Sequence, residues 1–106
     1  MTFENLEGRV IAWACARQII PNSNAMSQAL KTAEEVVELL QALNKKDTKE
    51  VIDAYGDILD TLIIGAELYG VNLVACLEAA YDEIKDRSGH LGADGIFYKS
   101  ADGSIK

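Results

Sequence analysis

The sequence predicts an all-α protein organised as a four-helix bundle, and three observations lead to that prediction. Apolar residues recur at three- and four-residue spacing in four successive segments. Short polar turns separate these segments, and short connections favour antiparallel neighbouring helices. Nearly half of the 106 residues are apolar, which is enough for the core of one small domain. We therefore expect a single domain over residues 1–106, helical from about 5 to 87, with a tail from about 88 to 106.

The first predicted helix runs from about residue 5 to 20 and carries one large aromatic residue, Trp13. Trp13 is either a buried anchor of the core or a ring that stacks on a nucleobase, and the apolar pattern around it favours the core. Pro21 and the polar residues after it break the chain and supply N-cap candidates for a second helix, about 25–43.

The third predicted helix spans about 49–69. Asp47 or Thr48 can cap its start, and Gly70 suits the left-handed position after its end. From Ile58 onward this helix is apolar nearly all round, so we expect it to be deeply buried.

The last part of the chain predicts a fourth helix, about 73–86, and a glycine-rich tail. Ile96–Tyr98 is the extended-looking piece of that tail. We expect it to form a short strand or hairpin that lies against the bundle or a neighbouring subunit.

The composition excludes several classes of partner. A net charge of −7, from 10 basic and 17 acidic residues, argues against a nucleic-acid backbone. No apolar run reaches the roughly 18 residues of a membrane span, and the acidic N-terminus has no signal-peptide pattern. We therefore expect a cytoplasmic protein with no membrane partner, which completes its small core as a homo-oligomer. Cys15 and Cys76 lack metal-type spacing and are expected to be reduced core residues.

Two acidic stripes lie on segments that otherwise resemble helix core. On the second helix, one arc of roughly 80° holds four polar residues: Gln28, Lys31, Glu35 and Glu38. On the third helix, an arc of comparable width holds three aspartates: Asp53, Asp57 and Asp60. If these helices face each other, their carboxylates form one cluster, which repels itself unless a cation lies inside it.

Three uses of such a cluster compete. A hard-metal site would take Glu35 and Glu38 from one helix and Asp53 and Asp57 from the other, and oxygen ligands alone favour Mg²⁺ or Mn²⁺. A di-iron site needs Glu-x-x-His motifs, whereas the single histidine, His90, lies in the tail. Solvated acidic faces are the third use, which we assign to Asp47, Glu50 and Glu67. For the two stripes we favour the metal site over solvated faces, because the helix that carries Asp57 has little polar surface on which a carboxylate could be solvated.

A magnesium site built from carboxylates indicates a phosphorylated substrate, since Mg²⁺ completes its shell with waters and phosphate oxygens. The sequence has no P-loop, so side chains rather than backbone amides would hold the phosphates. Lys31, Lys85 and Arg87 are the cations beside the acidic segments. For Lys85 and Arg87 a favourable charge at a helix C-terminus is an equal alternative.

With these residues in place, the chain resembles the MazG-like all-α nucleoside triphosphate pyrophosphohydrolases, especially short phage-type members, from Trp13 to about Lys99. The EExxE motif of that family is present as Glu34-Glu35-Val-Val-Glu38, preceded by Gln28 and Lys31. In the second motif, ExxD, the aspartate matches Asp57, but Ala54 stands at the glutamate position. Asp53 is the expected substitute. Further on, Asp82 stands where the family has an asparagine.

The resemblance implies Mg²⁺-dependent cleavage of a (d)NTP between the α and β phosphorus, as in house-cleaning of the nucleotide pool, by a dimer or tetramer. It implies four metal ligands: Glu35, Glu38, Asp57 and, in place of the missing glutamate, Asp53. It implies that Glu34 is a further ligand or orients the attacking water, so that the catalytic group is Glu34, Glu35 and Glu38. It implies a substrate contact set as well: Gln28, Lys31, Lys85 and Arg87 toward the phosphates, and Trp13 and Arg17 at the base.

Two other functions stay open. The departures at Ala54 and Asp82 are compatible with a non-catalytic helical module that binds a nucleotide or a protein. A purely structural bundle would turn its acidic stripes to solvent. Release of pyrophosphate in the presence of Mg²⁺ separates the enzyme from both.

Overall fold

A computed structural model describes residues 1–100 of the chain, which contain five α-helices and one two-stranded hairpin. In chain order the elements are α1 (Phe3–Ala16), α2 (Ile19–Asn22), α3 (Ala25–Lys45), α4 (Thr48–Tyr69), α5 (Leu73–Ile84), β1 (Gly89–Leu91) and β2 (Phe97–Lys99). The all-α fold class is confirmed, with four long helices and a small C-terminal hairpin. The chain forms two compact units, one up to Leu73 and one from Val74 onward, which are described separately. The last six positions of the expected tail, 101–106, lie outside the described residues.

Local capping sets the starts of the long helices in the first unit. The Asn24 side chain accepts a hydrogen bond from the Ser27 backbone N–H at the start of α3, at 2.8 Å. Asp47 accepts one from the Glu50 N–H at the start of α4, at 3.2 Å, and Gly70 ends α4 with φ 94°. These caps satisfy backbone groups that a helix end leaves without partners. The predicted caps at Asp47 and Gly70 are therefore confirmed.

Two predicted helix ends were wrong. The first helix ends at Ala16 rather than near residue 20, because Gln18 adopts a left-handed conformation, with φ 66°, and interrupts the hydrogen-bond ladder before α2. The fourth long helix ends at Ile84 rather than Asp86, since the Arg87 N–H bonds the Ile84 carbonyl three residues back and tightens the last turn.

The first unit is built around the packing of α3 against α4, with α1 covering another side of α4. The Oγ1 atoms of Thr32 on α3 and Thr61 on α4 lie 2.7 Å apart in a hydrogen bond across the part-buried interface. One turn away, a Cβ placed on Gly65 would lie 3.2 Å from the Gln28 Cβ, so the helices approach closely there. The buried apolar residues are small or β-branched: Ala14, Ala42, Ala54, Ile63 and Ile64.

The expected deep burial of several groups was wrong for this single chain. In the apolar stretch of α4 that begins at Ile58, Ile63 and Ile64 are buried as expected, but Leu59 is 44 % exposed and Leu62 is 38 % exposed, so only part of this stretch is covered. Trp13 is 47 % exposed and is not a core residue. Cys15 and Cys76 are free thiols, as expected, but both are exposed. The physical reason on α4 is that α1, α2 and α3 pack against only part of its surface, so some of its apolar side chains stay uncovered.

The second unit contains most of α5 and the hairpin. Strands β1 and β2 pair antiparallel with His90 opposite Tyr98, and the rings of these two residues stack at 5.8 Å. The Tyr98 hydroxyl donates a hydrogen bond to the Asp94 carboxylate in the turn, which holds the pKa of Asp94 below its ordinary value. The strand expected at Ile96–Tyr98 is thus present, shifted by one residue.

No single helix in the described part of the chain is long and apolar enough to cross a membrane. Only α4 and α5 taken together across the break between them meet that criterion, and they do so by length and composition alone.

The Thr32–Thr61 hydroxyl pair predicts a measurable contribution to stability. Thr61→Val keeps the shape of the side chain but removes its bonds to Thr32 and to the Ile58 carbonyl. We expect the free energy of unfolding to fall by about 1–2 kcal/mol in urea titrations at fixed protein concentration. The double variant with Thr32→Val should lose less than the sum of the single losses, because the two residues share one bond. Strictly additive losses would contradict the hydroxyl pair.

Candidate active site

Three glutamates of α3 form a compact carboxylate cluster. Glu34, Glu35 and Glu38 each place one oxygen within 4.8 Å of the others, because Glu38 lies four residues from Glu34 and three from Glu35, the two spacings that make neighbours on a helix surface. The Lys31 Nζ, one turn earlier, lies 2.6 Å from Glu34 Oε1 and 3.7 Å from Glu35 Oε2. The four residues that the sequence placed at the EExxE motif and its preceding lysine are therefore brought together.

Glu35 is the buried member of the cluster. Only 7 % of the residue is exposed, and its Oε1 atom is buried with no hydrogen-bond partner. Burial raises the pKa of the Glu35 carboxyl above its ordinary value, and the nearby charges of Glu38 and Asp57 raise it further. Asp57 belongs to α4, so this helix contributes negative charge to the same centre.

A hard divalent cation fits this arrangement. A buried carboxylate oxygen without a donor is costly, and a bound cation is one of the few groups that can compensate it. The neighbouring ligand atoms are carboxylate oxygens, which Mg²⁺ and Mn²⁺ prefer over softer metals. Glu34, Glu35, Glu38 and Asp57 are the residues that could hold such an ion.

A groove of about 450 Å³ runs between α3 and α4 beside the glutamate cluster. Six residues line it: Glu38, Gln41, Glu50, Asp53, Ala54 and Asp57. Asp53, the expected substitute ligand, lies in this groove, with its Oδ2 at 3.0 Å from the Lys49 Nζ. Ala54 is buried and presents a methyl group where the ExxD motif has a carboxylate.

Sequence reasoning missed Gln41 and Glu50. Glu50 is exposed, as expected of a solvated charge, and it also lines the groove, where its Oε1 lies 3.1 Å from the Lys45 Nζ. A signal for it was present, because Glu50 and Asp53 repeat the ExxD spacing one helical turn before Asp57. The ExxD motif could correspond to Glu50 and Asp53 or to positions 54 and 57. Which of these pairs faces α3 depends on how the two helices pack, so the spacing alone could not identify the pair.

A second hollow, of about 270 Å³, lies between α1 and α4. Its lining combines apolar and charged side chains: Leu6, Arg9, Val10, Trp13 and Asp60. The Arg17 guanidinium lies 4.6 Å from the centroid of the Trp13 ring, a distance typical of a cation–π contact. Burial raises the pKa of Asp60, and Asp57 raises it further. Trp13 and Arg17 therefore meet in one place, with the aromatic ring half accessible.

Three other predicted contact residues are not in this cluster. The Gln28 Nε2 donates to the Ser23 Oγ at 3.1 Å, and Gln28 precedes Glu35 by seven residues, about 10 Å along the helix. Lys85 and Arg87 belong to the second unit, where the Lys85 Nζ lies 3.5 Å from the Asp82 carboxylate. The roles assigned to these residues stay predictions.

Comparison with known families identifies the class of enzyme. The model of phosphoribosyl-ATP pyrophosphohydrolase matches residues 17–87, which include all of α3 and α4 and the whole carboxylate cluster. The chain belongs to the phosphoribosyl-ATP pyrophosphohydrolase family. No curated protein and no solved structure matches the chain. The match covers the groove but not Trp13, which lies before its first residue.

Membership in the phosphoribosyl-ATP pyrophosphohydrolase family confirms the broader part of the expected resemblance. This family is in the same all-α pyrophosphohydrolase superfamily as the MazG-like enzymes, so the superfamily is confirmed and the MazG-like subtype stays a prediction. Family membership also indicates that the protein is a hydrolase of the pyrophosphohydrolase class, which acts on phosphoanhydride bonds of nucleotides.

The buried carboxyl of Glu35 predicts opposite effects of one substitution with and without metal. Because the pKa of Glu35 is raised in the folded protein, ionising it costs stability as the pH rises above the ordinary glutamate range. Without Mg²⁺, the stability of Glu35→Gln relative to that of the unaltered protein should therefore increase as the pH rises. With Mg²⁺, the unaltered protein should gain in melting temperature, and Glu35→Gln should lose most of that gain.

Thermal melts over a series of pH values and Mg²⁺ concentrations check both effects. Glu67→Gln, an exposed change on α4, is the control and should keep the full response to Mg²⁺. A Glu35→Gln variant that responds to Mg²⁺ like the control would contradict a metal at Glu35.

Proposed function

We propose that the protein is an Mg²⁺-dependent nucleoside triphosphate pyrophosphohydrolase, which converts a (d)NTP to the (d)NMP and pyrophosphate and so removes unwanted nucleotides from the pool. The observation that carries the proposal is the buried, unpartnered Glu35 Oε1 within a cluster of carboxylates. The family match supports it, because phosphoanhydride hydrolysis is the chemistry of that family.

In the proposed reaction, a water oxygen bonds to the α phosphorus while the bond to the α–β bridging oxygen breaks, and pyrophosphate leaves with that oxygen. Glu35, Glu38 and Asp57 would hold Mg²⁺ or Mn²⁺, with Asp53 as a further ligand. The ion would neutralise the phosphate charge and polarise the α phosphorus. Glu34, which is exposed and at the edge of the cluster, would orient the attacking water and accept its proton.

The base would bind at the hollow between α1 and α4. Trp13 offers a half-exposed ring on which a base can stack, and the Arg17 guanidinium orders that ring from one side. Asp60 lines the same hollow and lies about one turn of α4 beyond Asp57, the last residue of the groove, so a base there would extend its phosphates toward Asp57.

Phosphoribosyl-ATP is a second candidate substrate, and the family match favours it specifically. Its triphosphate would use the same carboxylates, and its extra ribosyl phosphate would need an additional cation. Arg9 lines the hollow beside Trp13 and could supply that charge.

The expected reaction can be measured directly. Pyrophosphate release should appear with Mg²⁺ or Mn²⁺ and one or more members of a panel of ribonucleotides, deoxyribonucleotides and phosphoribosyl-ATP. Glu38→Ala should lower kcat at least about 100-fold, because it removes a metal ligand. Glu67→Ala on the same unit should leave it unchanged. No product from any member would contradict the proposal, and nucleotide-dependent thermal stabilisation without product would favour the non-catalytic alternative.

We further propose that the protein is a homo-oligomer. Large apolar side chains on α3 and α4 are exposed in the single chain, among them Val37 at 52 %, Leu40 at 61 % and Ile52 at 65 %. Apolar surface of this extent on helices that already carry the site favours a second copy as its cover.

A substitution on this surface tests the assembly. Leu40→Glu should shift the protein toward the monomer in light-scattering measurements, because a carboxylate would be buried in the interface. Ser27→Glu, at an exposed position about 140° around α3 from Leu40, is the control and should keep the assembly. A monomeric unaltered protein would contradict the proposal.

A further inference from the structure

We infer that Lys45 and Lys49 bind the two terminal phosphates of the substrate, the part that leaves as pyrophosphate. The inference rests on the proposed function and goes further, because it assigns a direction to the substrate in the groove. Neither lysine lies in a recognised motif. Both reach the groove through their ion pairs with two of its lining carboxylates, Glu50 and Asp53.

The order of residues along α4 sets the direction. Asp60 lines the hollow that contains Trp13, and Asp57, Asp53 and Glu50 follow at intervals of about one turn toward the start of the helix. From Asp60 to Glu50 the rise is about 15 Å. A nucleotide with its base at Trp13 and its α phosphorus near Asp57 therefore directs its outer phosphates to the end where Lys45 and Lys49 lie.

The two ends of the site carry separate cations. On α3, Lys31 contacts Glu34 and Glu35, whereas Lys45 lies fourteen residues further on, about 21 Å along the helix. One triphosphate chain cannot contact both ends at once. Lys31 is thus assigned to the centre where the bond breaks, and Lys45 with Lys49 to the leaving group.

The present partners of these lysines can be exchanged at little cost. Lys49 and Asp53 have side chains 85 % and 59 % exposed, and exposed pairs one helical turn apart contribute little to stability. Lys49 also lies in the first turn of α4, where a positive charge is unfavourable to the helix. A cation that takes the carboxylate of Asp53 would free Lys49 for a phosphate oxygen.

The charge of the groove requires such cations. Four of its six lining residues are carboxylates, and the other two, Gln41 and Ala54, are neutral. A polyphosphate entering this groove is repelled unless positive groups stand at its rim. Lys45 and Lys49 are the cations paired with its lining residues in the described part of the chain.

The lysines predict a selective loss of pyrophosphate binding. In calorimetric titrations with Mg²⁺ present, the double variant Lys45→Gln/Lys49→Gln should bind inorganic pyrophosphate at least about tenfold more weakly than the unaltered protein. Binding of a nucleoside monophosphate should be unchanged, and Mg²⁺ alone should bind no more weakly, because the lysines compete with it. Lys46→Gln is the control for each single variant, Lys45→Gln and Lys49→Gln: it removes one positive charge between the two test positions, but Lys46 lines a different hollow with Leu43, Thr48 and Val51.

The possible results of these titrations distinguish a failure of the lysine assignment from a failure of the proposed function. Equal pyrophosphate affinity in the double variant and the unaltered protein would overturn the role of the lysines while leaving the proposed hydrolysis intact. Equal weakening of pyrophosphate, monophosphate and Mg²⁺ would overturn it too, since that pattern indicates damage to the site. If the unaltered protein neither binds pyrophosphate nor releases it from any nucleotide, the proposed function itself fails, and the lysine assignment fails with it.

Discussion

A carboxylate oxygen of Glu35 lies inside the interface of α3 and α4 without a hydrogen-bond donor, and the rest of the first unit is arranged around that constraint. The interface can bring the helices close because the residues at its contacts are small: Ala42, Ala54 and Gly65. The shared hydrogen bond of Thr32 and Thr61 fixes their register. Burial without a donor penalises the charged form of Glu35 and raises the pKa of its carboxyl. The cation proposed at this site would compensate that charge.

The elements that the sequence predicted well are those whose determinants are local. Asp47 and Gly70 define α4 through contacts within a few residues, and the three-residue spacing of Glu35 and Glu38 places both on one face of any helix. Burial was predicted badly because it depends on what packs against each face. The exposure of Trp13 follows from the placement of α1 on α4, and no pattern within α1 encodes that placement.

Glu50 shows why the site was predicted only in part. Its helix position was correct, but a charged residue near a helix start is compatible with both a solvated face and a groove. The contact of α3 with α4, which is long-range in sequence, decides that Glu50 and Asp53 face the groove together with Glu38. The ExxD spacing fits two pairs of positions, 50 with 53 and 54 with 57. Tertiary packing places all four of these residues in the lining of the same groove.

The methyl group of Ala54 removes one negative charge from the groove relative to the glutamate of the ExxD motif. Six carboxylates belong to the cluster or the groove: Glu34, Glu35, Glu38, Glu50, Asp53 and Asp57. Three lysines pair with them, Lys31, Lys45 and Lys49, so the ionised site carries a net charge of six negative against three positive, or −3. A divalent cation bound there, as proposed, would reduce the repulsion of a polyphosphate. A glutamate at position 54 would add one more negative charge to this balance. With alanine there, Asp53 and Glu50 carry the negative charge toward the lysines, at the end of the groove where the leaving pyrophosphate would need neutralisation.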